Sequence, residues 1–143
     1  MHDTAFLRSD ELPGDAAVGY LSADGPRTNV LHLPVRGSGD GGIYSTAADF
    51  SSLWSALFAG QIVSESWVAE MVRPRSDAPS ESMRYGLGLW LHASGAIEMH
   101  GYDAGVSFRS VHDPGSGTTS TVISNTSEGT WPIETLLDEH LES

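Results

Sequence analysis

The sequence contains a glycine-rich stretch with the letter spacing of a phosphate-binding loop. Residues 36–49 read RGSGDGGIYSTAAD and place Gly37, Gly39 and Gly42 in a Gly-x-Gly-x-x-Gly pattern. In a dinucleotide-binding loop, such glycines follow a strand directly and open the helix whose N-terminus holds the pyrophosphate. Here helical periodicity begins only after Ser45, and no strand–helix–strand unit follows. The pattern therefore predicts a tight loop that needs the backbone freedom of glycine, and no nucleotide site.

The histidines and serines offer two further kinds of site, and their spacing favours neither. No His-x-x-x-His pair occurs, and His92 and His100 flank an expected hairpin without being directly paired, so we predict no metal site and no cofactor. Ser107, His112 and Asp113 have the residue types of a catalytic triad, but they follow one another closely on one expected strand. Neighbouring side chains on a strand point to opposite faces, so this set does not form a triad.

Composition excludes several classes of function. The 143-residue chain has a formal net charge of -12, no cysteine, and seven basic residues that are all arginine. This charge argues against nucleic acid and anionic membrane surfaces as partners, and the absence of cysteine excludes thiol catalysis and disulfides. No apolar run is long enough to span a membrane. Residues 1–15 lack the regions of a signal peptide, so we expect a cytoplasmic location for the chain as it stands, although its true compartment stays open.

Two helices are expected after the glycine loop and one at the end of the chain. Thr46 with Asp49 forms a capping-box pattern before an apolar stripe, and Ser64 precedes a second short stripe that ends at Pro74. Thr130 precedes the last helix, with its apolar face at Ile133, Leu136, Leu137 and Leu141. Three aromatic residues at helical spacing are predicted to lie in the core: Phe50, Trp54 and Trp67.

Strands are expected between the second and third helices. From residue 84 to 92 the apolar period changes to two, and the turn at residues 93–95 predicts a hairpin with residues 96–100. Residues 105–112 and 118–124 are expected as two further strands around a turn at 113–117. Residues 1–29 are a turn-rich lead-in, and residues 30–35 are expected to be extended. The order predicts an α+β fold, an antiparallel sheet flanked by helices.

Three stretches in order resemble the serine β-lactamase-like superfamily of class C β-lactamases, D-alanyl-D-alanine peptidases and esterases. They are DTAF at 3–6, GSGDGGIYSTAADFSSLWSAL at 37–57, and RYGLGLWLHASGAIEMHGYDAGVSFRS at 84–110. The resemblance covers nearly the whole chain. It implies that residues 1–143 form a single partial domain, the C-terminal part of the β-lactamase/transpeptidase-like fold.

The resemblance also implies which catalytic groups this sequence lacks. The family's nucleophile lies in Ser-x-x-Lys, and a lysine or a Tyr-x-Asn tyrosine removes its proton. The sequence has no lysine, and none of its four tyrosines begins Tyr-x-Asn. We therefore expect both motifs upstream of Met1, and expect the chain to be inactive alone.

The family's third motif, on the strand that borders the active site, has counterparts here. The resemblance places Met99 at the cationic position, His100 at the next and Gly101 at the glycine, and a shift of one residue would make His100 the cation. It implies that Gly101 lets substrate approach the strand and that Asp103 lines the cleft. The Tyr102 backbone N–H would be an oxyanion-hole donor, an interaction of about 3 kcal/mol in the transition state.

Two functions stay open at this point. The chain is either part of a serine hydrolase acting on a small-molecule or peptide acyl substrate, or a stand-alone, non-catalytic module that binds a ligand or partner. The first predicts an exposed apolar surface where the remaining part docks, which a homo-oligomer could also cover. The second predicts a monomer with cooperative melting and no such surface.

Overall fold

The computed structural model describes residues 1–22 and 24–141, with side chains to residue 139. The chain forms two compact units. The first unit comprises Met1–Asp49, Gly101–Arg109 and the described part of Val122–Ser143, and the second comprises Phe50–His100 and Ser110–Thr121. The chain therefore passes between the units several times. No helix among the described residues is long and apolar enough to cross a membrane.

Helix α1 spans Ala47–Phe58 and begins where its cap was predicted. The Asp49 backbone N–H donates to Thr46 Oγ1 at 3.1 Å, which satisfies one of the helix's first N–H groups. The Asp49 carboxylate holds the N-terminal segment: it accepts from the His2 and Asp3 backbone N–H groups at 2.9 and 2.8 Å, and from the Thr4 hydroxyl at 2.6 Å. Asp49 thus joins the start of the chain to the first turn of α1.

Helix α2 spans Glu65–Met71, with Ser64 at its N-cap as predicted. The expectation that Trp67 lies in the core is wrong, because its side chain is 61% exposed, whereas Trp54 of α1 is fully buried. Val68, next to Trp67 on the helix, is the buried residue of α2. A helix of two turns presents only a narrow stripe to its neighbours, and Trp67 lies outside that stripe.

Six strands form one sheet in the order of the sequence. They are β1 (Ser76–Ala78), β2 (Met83–Tyr85), β3 (Trp90–Leu91), β4 (Ile97–Asp103), β5 (Val106–Asp113) and β6 (Thr118–Ser124). The first three neighbouring pairs are antiparallel, and helix α3 (Trp131–Leu141) follows the sheet. The α+β prediction, the hairpin turn at 93–95, the strands β4 to β6 and the last helix are confirmed. Strand β1 lies before residue 84, where the first strand was expected to begin.

The expected long strand from residue 84 to 92 is instead two short strands. The chain turns at residues 86–89, where the Gly86 N–H donates to the Leu89 carbonyl at 2.8 Å and the Leu87 N–H donates to the Met71 carbonyl at 2.9 Å. Gly88 has a φ of 78°, a left-handed conformation that glycine adopts without strain. Because β2 and β3 pair with each other, a turn must separate them. The alternating leucines therefore do not belong to one continuous strand.

The apolar core lies in the second unit. Six hydrophobic side chains are buried there: Trp54, Leu57, Val68, Leu89, Leu91 and Ile97. In the described part of the first unit the buried side chains are instead polar or charged: Ser9, Asn29, Asp49, Ser107, Arg109 and Thr130. Arg109 carries an ion pair to Glu134 at 3.1 Å and another to Asp138 at 2.9 Å. Hydrogen bonds and ion pairs thus stabilise the interior of the first unit.

The glycine-rich stretch is a tight turn, as predicted. Ser38 and Gly41 exchange backbone hydrogen bonds at 2.8 and 3.2 Å, and Gly42 has a φ of 85°. A Cβ added at Gly37 would lie 2.4 Å from the Gly42 carbonyl oxygen, so the close approach of the two backbones requires glycine. The extended conformation expected for residues 30–35 is wrong, because a turn begins there with the His32 N–H bonded to the Asn29 carbonyl at 2.8 Å.

Candidate active-site strand

Strand β4 contains all five candidate site residues, from Met99 to Asp103, and their side chains alternate between its two faces. Successive side chains of a strand point to opposite sides. Ile97 is buried and Met99 packs against the apolar core, so one face of this half of β4 belongs to the second unit's interior. Met99 therefore has the surroundings of a core residue. Glu98 and His100 point the other way.

Glu98 is the centre of a polar cluster on that opposite face. Its side chain is only 2% exposed, and both carboxylate oxygens are bonded: Oε2 to His92 Nε2 at 2.8 Å, and Oε1 to His100 Nδ1. About a quarter of each histidine side chain is exposed, 24% for His92 and 26% for His100. We call Trp90, His92, Glu98 and His100 the Glu98 cluster.

The hairpin geometry explains how the Glu98 cluster assembles. Trp90 lies opposite Glu98 in the pairing of β3 with β4. The Trp90 ring stacks on the His100 ring, with centroids 5.2 Å apart and planes 13° from parallel. His92 and His100 are not paired directly, as expected, but both reach the same carboxylate. Sequence reasoning missed Glu98, although its i, i+2 spacing from His100 on a strand was the available signal.

The other predicted site residues occupy the end of β4 and the turn after it. Tyr102 is 73% exposed, and its ring meets the Trp131 ring edge-on with centroids 6.2 Å apart. The Asp103 carboxylate accepts from the Ala104 N–H at 2.6 Å, and the Asp103 carbonyl accepts from the Ser127 hydroxyl at 2.8 Å. Asp103 thus shapes the β4–β5 turn, and Tyr102 presents its ring to solvent.

Gly101 has a packing reason to be glycine. A Cβ added there would lie 3.1 Å from the Phe108 ring, tighter than most contacts of that kind. The expectation that Gly101 admits substrate to the strand rests on the resemblance and stays a prediction. Strand β3 pairs with β4 at Ile97 and Glu98, before Gly101 in the chain.

Ser107 and His112, two of the three residues with the types of a catalytic triad, are hydrogen-bonded to other side chains in the fold. Ser107 is buried, and its hydroxyl donates to the Thr126 carbonyl at 2.8 Å and is hydrogen-bonded to the Thr130 hydroxyl at 2.9 Å. His112 Nδ1 is bonded to the Thr119 hydroxyl at 2.8 Å, and burial lowers the pKa of its imidazole. Each group is engaged in the interior of its own unit. No group of three or more His, Cys, Asp or Glu residues in the described chain could hold a metal ion.

Comparison with known proteins shows that this chain is similar to proteins of known structure. The chain is similar to a penicillin-binding protein from Bacillus halodurans over 97% of its length, with 32% identity and a TM-score of 0.87. It is similar in fold to a D-stereospecific amidohydrolase from Streptomyces sp. over 87% of its length, with 21% identity and a TM-score of 0.68. The chain spans 44% and 39% of the lengths of these two proteins. No protein-family model and no curated protein matches the sequence.

Proposed function

We propose that this chain, which has the fold of the serine β-lactamase-like superfamily, supplies one part of the active site of a serine hydrolase. The superfamily resemblance is confirmed by its structural neighbours. In this proposal strand β4 borders the site, the Tyr102 backbone N–H donates to the oxyanion, and His100 and Asp103 lie at the cleft. The substrate is a small-molecule or peptide acyl compound, and the nucleophile comes from a segment that this sequence does not contain.

The observation that carries the proposal is the likeness of nearly the whole chain to less than half of a penicillin-binding protein. A Ser-x-x-Lys nucleophile cannot exist in a sequence without lysine. In this proposal the chain contributes groups that bind the substrate and stabilise the charge of the transition state, and such stabilisation is a large part of catalysis in acyl transfer. It does not contribute the family's covalent step.

The first unit has the surface expected of a part that packs against something larger. Of the large hydrophobic side chains exposed in the described residues, ten belong to the first unit and three to the second. The ten are Met1, Phe6, Tyr20, Leu31, Val35, Ile43, Tyr102, Ile123, Ile133 and Leu136. Apolar surface on this scale, beside a polar interior, favours a role inside a larger assembly.

One observation favours the alternative of a stand-alone, non-catalytic binding module. The second unit has its own apolar core around Trp54, which is the usual requirement for folding alone. Such a module would bind a ligand or partner without turnover. The two functions differ in whether acylation appears when a Ser-x-x-Lys segment is supplied.

The test is an exchange of segments with the Bacillus halodurans penicillin-binding protein. The matched segment of that protein is replaced by this chain, and covalent labelling by a fluorescent penicillin is measured. We expect labelling of the hybrid and none of the chain alone. Tyr102→Pro removes the backbone N–H and should slow acylation by about 100-fold, whereas Tyr102→Phe keeps that N–H and is the matched control. A fluorophosphonate or penicillin label on the isolated chain would contradict the proposal.

A further inference from the structure

Tyr102 and Trp131 form an aromatic pair at the end of strand β4. Tyr102 is 73% exposed, and the centroids of the two rings lie 6.2 Å apart with their planes at 86°. Trp131 is the first residue of α3 and is partly exposed, and both residues belong to the first unit. Two rings at right angles form a corner, and solvent reaches the Tyr102 ring. We call these two residues the aromatic pair.

Hydrogen bonds join the segment before Trp131 to the turn that follows Tyr102. The Ser127 hydroxyl donates to the Asp103 carbonyl at 2.8 Å and accepts from the Gly105 N–H at 2.9 Å. A single side chain therefore spans the β4–β5 turn. The bond to the Asp103 carbonyl lies one residue from Tyr102, so the backbone that carries the Tyr102 ring is held in place.

A second set of bonds places Trp131 at the start of its helix. The Ser107 hydroxyl donates to the Thr126 carbonyl at 2.8 Å and accepts from the Thr130 N–H at 3.3 Å. Thr130 is fully buried, and its carbonyl accepts from the Ile133 N–H at 3.2 Å in the first turn of α3. Both rings thus stand on backbone that is already ordered. A surface that is ordered before binding costs less free energy to occupy.

The geometry of the aromatic pair favours a flat aromatic ligand. Aromatic rings prefer offset-stacked or edge-to-face contacts, with centroids about 4.5–7 Å apart. A third ring in the corner makes one such contact with each member of the pair, whereas an aliphatic chain gains only from being buried. The net charge of -12 argues against a nucleic-acid base as this third ring.

We propose that Tyr102 and Trp131 determine substrate specificity by binding an aromatic ring in the acyl side chain of the substrate. The position of the substrate rests on the proposed function, in which the Tyr102 backbone N–H donates to the oxyanion. The oxyanion then lies about 3 Å from that nitrogen, so the substituent on the acyl carbon lies within reach of the Tyr102 ring. The substrate class narrows to acyl compounds with an aromatic acyl side chain.

The first test uses the chain alone and needs no acylation. We would titrate it with N-phenylacetylglycine and with N-acetylglycine, which has the same amide and carboxylate but no ring. The Trp131 indole N–H is followed in ¹H–¹⁵N spectra at low ionic strength, where like charge keeps the copies apart. We expect the phenylacetyl probe to bind about threefold to tenfold more tightly than the acetyl probe. Equal binding of the two probes, or no binding of either, would overturn the proposal.

Three variants separate the aromatic pair from other exposed rings. Tyr102→Ala should weaken binding of the phenylacetyl probe about threefold to tenfold, whereas Tyr102→Phe keeps a ring and should retain most of the affinity. The matched control is Trp67→Ala, which removes an aromatic side chain that is 61% exposed in the second unit and should not change the affinity. The dispersion of the spectra reports whether each variant is folded. Equal losses in Tyr102→Ala and Trp67→Ala would show that the probe has no preferred site.

The hybrid penicillin-binding protein separates this inference from the proposed function. We would compare its acylation by benzylpenicillin, whose acyl side chain is phenylacetyl, with its acylation by the penicillin nucleus that has no acyl side chain. Tyr102→Ala should slow the first reaction about threefold to tenfold more than the second. Equal slowing of both reactions would refute the aromatic site and leave the proposed function standing. A hybrid that is never acylated would refute the proposed function, and the titration of the chain alone would still decide whether the aromatic pair binds a ring.

Discussion

A single buried histidine gives the fold a predictable response to pH. His112 stacks on Trp54 at 5.6 Å between ring centroids and lies 5.0 Å from Phe58. Burial lowers the pKa of its imidazole below the usual 6.5, and the charge of Asp113 opposes this shift in part. The unfolded chain therefore takes up this proton first as the pH falls. The stability contribution of neutral His112 is complete above about pH 6.5 and declines below it.

We expect the free energy of unfolding to fall between about pH 7 and pH 5, and to fall less in His112→Phe. Phenylalanine keeps the ring contacts and does not titrate. Asp113→Asn should steepen the fall, because it removes the charge that opposes the shift. Urea melts at several pH values give the free energy of unfolding of the wild type, His112→Phe and Asp113→Asn. Equal slopes in the wild type and His112→Phe would show that other groups govern this pH range.

At the scale of elements, two helices with similar apolar patterns differ in what they bury. Trp54 of α1 is fully buried and donates through Nε1 to the Ser110 hydroxyl at 2.8 Å, whereas Trp67 of α2 is exposed. Trp54→Ala should cost about 3–5 kcal/mol in unfolding free energy. Trp67→Ala should change it by about 0.5 kcal/mol or less. Denaturant melts of the pair check this, and a similar loss in both variants would contradict the assignment of the core.

Gly86 tests the turn that replaces the expected long strand. A Cβ at Gly86 would lie 2.0 Å from the Met71 carbonyl oxygen, so Gly86→Ala must move the backbone where β2 meets the end of α2. We expect a loss of about 1–3 kcal/mol in unfolding free energy. Gly14→Ala, where no atom lies within 4 Å of the added Cβ, is the matched control and should be neutral or slightly stabilising. Equal stability of the two variants would argue against this turn.

These elements also show what the sequence could predict. Local signals were sufficient where capping and turn residues act on their own neighbours, as at Thr46, Gly95 and Thr130. They failed at Trp67 and at residues 86–89, because burial and strand pairing depend on partners distant in the chain. The same contrast between local signals and distant contacts holds for the candidate site. The resemblance located β4, but Glu98 becomes visible only when the hairpin brings His92 and His100 to one carboxylate.

At the scale of the whole molecule, the distribution of apolar residues predicts how the chain behaves alone. The first unit exposes Leu31 at 92% and Leu136 at 51%, and the described residues that it buries are polar or charged apart from glycines. If a larger hydrolase normally covers this surface, the isolated chain should bind an apolar dye and self-associate. The net charge of -12 opposes association.

Salt should therefore promote the association of the isolated chain. Raising the ionic strength from about 0.01 M to about 0.15 M shortens the screening length from about 30 Å to about 8 Å, which weakens the repulsion between acidic copies. We expect sedimentation velocity to show larger species at the higher ionic strength, and Leu31→Glu to reduce them. The charge-matched control is Ser51→Glu, at an exposed position of α1 in the second unit. A chain that stays monomeric at both ionic strengths, binds no dye and melts cooperatively would favour the stand-alone binding module, because nothing would then need to cover its first unit.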